Sequence, residues 1–468
     1  MTAETALSPK PNERSNSSAP QRGGDPLQRL LASAAVGGML ARPWIDPLCL
    51  WGLKQLLPAS RAWAAASVSD GSPETYAAEL GLARPPLGVK SRLARTVELR
   101  GIAEDACKKW IRAGFNGQGD LRATEATRRG TAQDYLGQRV AYTLFARRHK
   151  VGAAKLIIPT PAEALAEFQP FFADPDRLFQ LPAELPQIER SVTIDRGDIV
   201  EYWIRFQSPS AGDTAWAHVY EAKHRLDGKL PTLIFGHGLA METEMLRSDG
   251  RGYIGLAEQG LRVVLPDAPG HNRRAEPGRY GGESFIAAPP SSSLHNLQQV
   301  AQELGVIIDW CRAQGPGRIC LGGISLGALT AQVAACRMGS WPTSAKPDSL
   351  LLLTTTDRVS TLAFDSAIAV AAELDKAAVA KGWRAADFEP LARIADATET
   401  APIDPQNIVL LIGARDNVTP FAGGRRLADL WRIPAQNLFV RDQGHFSAAL
   451  GLGSDPAPIR RAIEVLTR

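Results

Sequence analysis

Ser325, Asp416 and His445 follow one another along the chain, and each lies just after an apolar run. A serine hydroxyl is a weak nucleophile at neutral pH and needs an adjacent base to take its proton. An imidazole serving as that base needs a carboxylate to hold one tautomer and to stabilise the cation that forms. Three such groups, if brought together, would transfer acyl groups. The serine stands in Gly323-Ile324-Ser325-Leu326-Gly327, after the run Arg318 to Leu321 and before a segment rich in Ala, Leu and Val. That setting fits a tight strand-to-helix turn presenting the hydroxyl above a sheet. Gly323 and Gly327 would leave room where strand and helix pass closely. Glycine and serine are also ordinary loop residues, so the pentapeptide does not decide alone.

The partners narrow the choice. Of the seven histidines only His445, in "RDQGHFSAAL", follows Ser325, and the order serine, acid, histidine is the one expected of this turn. Asp416, in "IVLLIGARDNVTP", lies 91 residues after the serine and 29 before the histidine. Asp357, at the end of "SLLLLTTTD", is the second candidate for the acid. Asp416 would also suit a simple turn. Two backbone N–H groups must face the developing oxyanion. Leu326 follows the nucleophile and supplies one. The second is assigned to Leu239 in "GHGLA", where Gly236 and Gly238 permit a tight loop. His237 is expected to fix that loop by hydrogen bonds.

These residues need a scaffold that gathers strand ends. From about residue 188, "RSVTIDRGDIVEYWIRFQS" and "AWAHVYEAKHR" alternate as antiparallel strands do. Five continuous apolar runs follow, at 231–238, 261–270, 318–323, 349–357 and 407–416. Unbroken apolar runs suit strands buried on both faces of a parallel sheet. Helical patterns lie between and after them, over 294–313, 328–338, 422–431 and 458–466. The alternation predicts a mostly parallel, doubly wound α/β sheet with ligands at its carboxyl ends. About 50 residues, 358–406, separate two of the strands. They are expected to form a helical cap, with Phe364, Ala367, Ile368, Ala371 and Leu374 on one helix face. Residues 188–468 are assigned to this domain, 27–187 to a helical accessory region, and 1–26 to a disordered tail. Within the accessory region, Leu99, Ile102, Ala103, Ala106, Trp110 and Ala113 recur at helical spacing.

Composition excludes other classes. The 468 residues are 44% hydrophobic and 22% charged, with net charge +4. No nucleic-acid-binding signature accompanies that mild charge. The five cysteines are widely spaced, none with metal-ligand spacing, and read as reduced thiols of a cytoplasmic protein. Residues 84–155 carry sixteen Lys/Arg against six Asp/Glu. A solvated surface explains this; peripheral membrane contact is the alternative, with "LCLWGLKQLL" and Trp44 and Trp51 as an interfacial helix. The competing account packs those tryptophans against the core.

"GHGLA", "DAPGHNRR", "GISLG", "GARDNVTP" and "DQGHFS", in this order, resemble the α/β-hydrolase superfamily over roughly residues 190–468. Within it, "GISLGALTAQVAA" and the stretch from Asp416 to His445 resemble the alpha/beta hydrolase domain-containing protein 18 subgroup. The resemblance implies an α/β-hydrolase fold of eight strands and a Ser325–His445–Asp416 triad with no metal or organic cofactor. The substrate would be a small-molecule or lipid ester. An acyltransferase would use the same triad with a different acceptor. A non-catalytic binding protein on the same fold is the rival from another class. In "DAPGHNRRAEPGRYGGESF" the chain departs from the usual short turn. Arg273, Arg274 and Arg279 there would either bind a substrate anion or lie on the surface.

Overall fold

The computed structural model describes residues 38–241 and 251–468. The tail over 1–26 lies outside them. Ten strands form one sheet: β1 (Glu189–Arg190), β2 (Ile194–Asp195), β3 (Ile199–Gln207), β4 (Thr214–Ala222), β5 (Thr232–Gly236), β6 (Arg262–Pro266), β7 (Ile319–Ile324), β8 (Ser349–Leu353), β9 (Ile408–Gly413) and β10 (Leu438–Arg441). Their order is β1-β3-β4-β6-β5-β7-β8-β9-β10, with β2 paired to β3. Eight are full strands, and the two-residue β1 and β2 add antiparallel edges along β3. β4 runs antiparallel to β3 and β6, and from β6 to β10 every pairing is parallel.

The apolar runs fold as strands because alternate residues feed two cores. Along β8, Leu350 and Leu352 join one buried cluster while Leu351 and Leu353 join the other. Along β9, Ile408, Leu410 and Ile412 oppose Val409 and Leu411 in the same way. A period of two thus buries both faces, which explains the unbroken hydrophobic runs. Helices Ser291–Ala313 and Leu326–Arg337 cover one face, and Arg251–Glu258 and Ala457–Leu466 contribute to the other. The chain steps from β5 to β6 on one side, then back past β5 to β7 on the other. The carboxyl ends of β5 and β7 therefore flank a switch point, where such sheets leave a crevice.

The helical part before β1 shares the sheet's core. Leu57, Trp63, Tyr76 and Leu93 belong to the same buried cluster as Leu321 and Leu352. A second junction is aromatic: Trp110 meets Trp203 edge-on with ring centroids 5.3 Å apart and lies 5.7 Å from Trp216. On helix Lys90–Phe115 the buried stripe is Leu99, Ala106, Trp110 and Ala113, whereas Ile102 is exposed at the stripe's edge. Helix Ile45–Ser67 buries Ile45, Asp46 and Leu57, but Trp51 within it and Trp44 just before it are 62% and 54% exposed, and Leu48 is exposed too. The account that packs these tryptophans against the core does not hold; Leu53 and Leu57 make that contact.

Residues 358–406 do not form one long amphipathic helix. They form short pieces, Leu362–Asp365, Ala367–Ala371, Leu374–Ala380 and Glu389–Ala395, joined by turns. The Ser366 hydroxyl caps the second piece by accepting from Ala369 N–H, and Glu373 adopts φ 57° before the third. Phe364 turns away from Ile368 and packs on Phe388 and Trp383 at 4.4 and 6.0 Å between ring centroids. No helix among the described residues is long and apolar enough to cross a membrane.

Candidate active site

Ser325 follows β7 directly and precedes helix Leu326–Arg337 with φ 53° and ψ −118°. This is a backbone conformation that side chains adopt rarely and at a cost of order 1–3 kcal/mol. Its N–H donates to Leu353 O at 2.9 Å and its carbonyl accepts from Leu329 N–H at 2.9 Å, so the turn is held from both sides. The glycines two residues away are required by space. A Cβ on Gly327 would lie 2.2 Å from Gly236 O, and one on Gly323 would lie 2.7 Å from the same atom. The ends of β5 and β7 and the start of the helix pass too closely for any side chain there.

The structure brings His445 and Asp416 to this serine. His445 Nε2 lies 2.8 Å from Ser325 Oγ, and Nδ1 lies 2.8 Å from Asp416 Oδ2. Both side chains are buried. The carboxylate can only accept, so Nδ1 carries the proton and Nε2 is left to accept from the serine. Asp416 is itself fixed. Oδ1 accepts from Val418 and Thr419 N–H at 2.8 and 2.9 Å, and Oδ2 accepts from Thr419 Oγ1 at 2.9 Å. Thr419 Oγ1 also stands 3.2 Å from His445 Nδ1. This threonine was not singled out from the sequence; "DNVTP" reads as a turn, and nothing in it marks a hydroxyl aimed at a carboxylate. Asp357, the other candidate acid, faces elsewhere: it takes a bidentate pair from Arg426 at 2.8 and 2.9 Å.

Leu239 and Leu326 line the same cavity as Ser325. A Cβ on Gly238 would come 3.7 Å from Ser325 Cβ, so the "GHGLA" loop runs beside the serine. Two neutral imidazoles hold that loop. His237 Nδ1 donates to Gly238 O at 2.9 Å and Nε2 accepts from Ala268 N–H at 3.2 Å. His271 Nδ1 donates to Pro269 O at 2.9 Å and Nε2 accepts from Ala240 N–H at 3.2 Å. His237 thus has the structural place expected of it, while His271 was not foreseen.

The cavity is apolar. Phe285, Leu294, Leu297 and Leu329 line one side, and Ile368, Leu374 and Leu391 from the 358–406 segment line another. Its volume is about 130 Å³, and it opens to solvent. Ser360 also lines it, held through its N–H and hydroxyl by Asp396 at 2.7 and 3.0 Å. Burial pushes the Asp396 carboxyl above its ordinary range.

The arginines of the "DAPGHNRR" segment are not arranged for a substrate anion. Arg274 is buried and bonds Glu303 through both Nη atoms at 2.7 Å and Asp213 at 2.8 Å. Burial opposes its charge, but Glu303 and Asp213 hold its pKa above the usual value. Arg273 pairs with Asp267 at 2.5 Å and Arg279 with Glu276 at 2.9 Å. These ion pairs brace the loop after β6. Among the described residues no group of three or more His, Cys, Asp or Glu side chains is arranged to hold a metal ion.

Among known proteins, the family alpha/beta hydrolase domain containing 18 matches residues 292–371, a stretch that contains Ser325 but neither Asp416 nor His445. The chain is 28% identical over 136 residues to Esterase YjfP of Escherichia coli (strain K12), covering 27% of this chain. It spans about half, 48%, of that relative's length. Among solved structures it is similar to acetyl xylan esterase 1 from Thermoanaerobacterium sp. JW/SL YS485, at 15% identity and TM-score 0.43, over 64% of this chain and 96% of that one. It is also similar to an acetyl xylan esterase from Paenibacillus sp. R4, at 18% identity and TM-score 0.41, over 60% and 89%. The strand order, the single antiparallel strand β4 within the main sheet and the strained turn at Ser325 agree with the sequence match: the chain has an α/β-hydrolase fold and, over residues 292–371, resembles alpha/beta hydrolase domain containing 18.

Proposed function

We propose that this protein is a serine hydrolase that cleaves a carboxylic ester through an acyl-enzyme on Ser325. The observation that carries the reading is His445, bonded at 2.8 Å to Ser325 on one ring nitrogen and at 2.8 Å to Asp416 on the other. Ser325 Oγ attacks the ester carbonyl as His445 Nε2 takes its proton. The oxyanion is met by the N–H groups of Leu326 and Leu239. Collapse expels the alcohol, which receives the proton from His445. Water then gives a proton to His445 and attacks the acyl-enzyme, releasing the acid and restoring the serine hydroxyl. His445 must be neutral at the outset, so kcat/KM should rise with pH. A non-catalytic role would leave the strain at Ser325 without use.

The apolar lining supports an ester with an apolar acyl part. Purified protein assayed against esters of graded acyl length should show kcat/KM rising until the cavity is full. A buried methylene contributes about 0.8 kcal/mol, or about fourfold per carbon. A profile that is flat from the shortest acyl group onward would remove the acyl chain from the cavity.

The exposed Trp44, Leu48 and Trp51, with the basic excess over 84–155, support substrate being met at an anionic lipid surface. The protein should then sediment with anionic vesicles at low salt and be released at high salt, because salt screens the attraction. Protein that stays in the supernatant at low salt with anionic and neutral vesicles alike would leave these side chains no lipid role.

A further inference from the structure

We propose that Asp46, from the first long helix and 399 residues before His445, is a positioning residue for that histidine. The inference rests on the serine-hydrolase reading above. His445 opens the short helix His445–Leu450, and its neighbours on both sides are held by this one carboxylate. Asp46 Oδ1 accepts from Phe446 N–H at 2.7 Å and from Ser447 N–H at 3.2 Å. Asp46 Oδ2 accepts from Ser447 Oγ at 2.5 Å, and Ser447 Oγ in turn accepts from Gly444 N–H at 2.9 Å. Backbone N–H groups at 444, 446 and 447 are thus all tied, directly or through one hydroxyl, to a buried side chain of the N-terminal part.

Two further contacts fit this purpose. Gly444 has φ −92°, which any residue can adopt, so its glycine is not needed for the backbone. It is needed for room: a Cβ there would lie 2.4 Å from Asp46 Cγ. The Gln443 side chain also donates to Ala41 O, one turn before Asp46. His445 has to keep one nitrogen on Asp416 and the other on Ser325 while the serine is acylated and released. A small displacement of a catalytic group costs rate far more than it costs binding. The Asp416 bond fixes the ring's tautomer and tilt, and Asp46 fixes the backbone from which the ring hangs.

The experiment compares Asp46→Asn, Asp46→Ala and Ser447→Ala with the wild type by three readouts. These are kcat and KM on a soluble ester, the rate of Ser325 labelling by a fluorophosphonate, and the downfield proton resonance of His445 Nδ1–H. Asp46→Ala should lower kcat on the order of 10- to 100-fold with KM nearly unchanged. Labelling should slow in parallel, and the downfield proton should broaden or vanish. Asp46→Asn keeps one acceptor oxygen for the two N–H groups and should retain more activity. If Asp46→Ala does not fold, Ser447→Ala must show the same signature more weakly. Variants that lose thermal stability while kcat, labelling and the downfield proton stay at wild-type values would overturn the proposal. Wild-type protein that never takes up the probe would overturn the serine-hydrolase reading instead, and the downfield proton would still report on Asp46.

Discussion

Ser325→Ala is expected to fold and to lose ester hydrolysis by on the order of 10⁶ in kcat, the scale seen when a nucleophile is removed from such a set. The geometry adds a second expectation that a surface serine would not meet. At φ 53° and ψ −118° the backbone is strained for any residue with a Cβ, alanine included. Ser325→Gly removes the Cβ and releases that strain, at the cost of a looser unfolded chain. Both variants lose the hydroxyl and its bond to His445, so their difference isolates the backbone. Ser325→Gly should be more stable than Ser325→Ala, by about 1 kcal/mol after the unfolded-state cost. Activity surviving in Ser325→Ala, or fluorophosphonate still attached at the site, would move the nucleophile elsewhere. Equal melting temperatures for the two variants would mean that the turn is relaxed in solution.

The parallel strands β5 to β9 were readable because burial on both faces confines polar side chains to their first residue. "LLLL" at 350–353 and "IVLLI" at 408–412 carry this pattern with little competition. Ser325 and Asp416 were readable because each lies just beyond such a run, and His445 because it follows the strand-like "QNLFVRD"; the sheet gathers strand ends. The second pair of aids was not. Thr419 and His271 act through hydrogen bonds to neighbours whose positions only the fold supplies. Asp46 sits in a helix that reads as an apolar segment, and no local pattern links it to residues 446 and 447. The arginines of the loop after β6 read as either anion-binding or surface residues, and Arg274 is neither: Asp213 and Glu303, distant in sequence, meet it in the fold. In 358–406 the apolar spacing was read as one helix. Ser366 and the left-handed Glu373 break it, so Phe364 and Ile368 end on different surfaces.

Asp416→Asn should cost about 10⁴ in rate while the protein remains folded, by comparison with the same change in known triads. The structure explains why an isosteric change would be so damaging. Asp416 Oδ1 is committed to two backbone donors, Val418 N–H and Thr419 N–H. An asparagine must keep its oxygen there, because its amide nitrogen has nothing to offer two N–H groups. The amide nitrogen is then forced to the Oδ2 position, facing Thr419 Oγ1 and His445 Nδ1. It donates to Nδ1, which must give up its proton, and the proton moves to Nε2. An Nε2–H cannot accept from Ser325. The loss should therefore fall on kcat, with KM little changed and Ser325 labelling slowed to match. Asp357→Asn is the control. That carboxylate is paired with the exposed Arg426, an interaction expected to contribute no more than about 1 kcal/mol to stability. Its activity should stay within about threefold of wild type, since it touches neither His445 nor the cavity. The reverse outcome, an inactive Asp357→Asn and a nearly normal Asp416→Asn, would place the acid on β8 and require His445 to turn away from the partner it has in the structure.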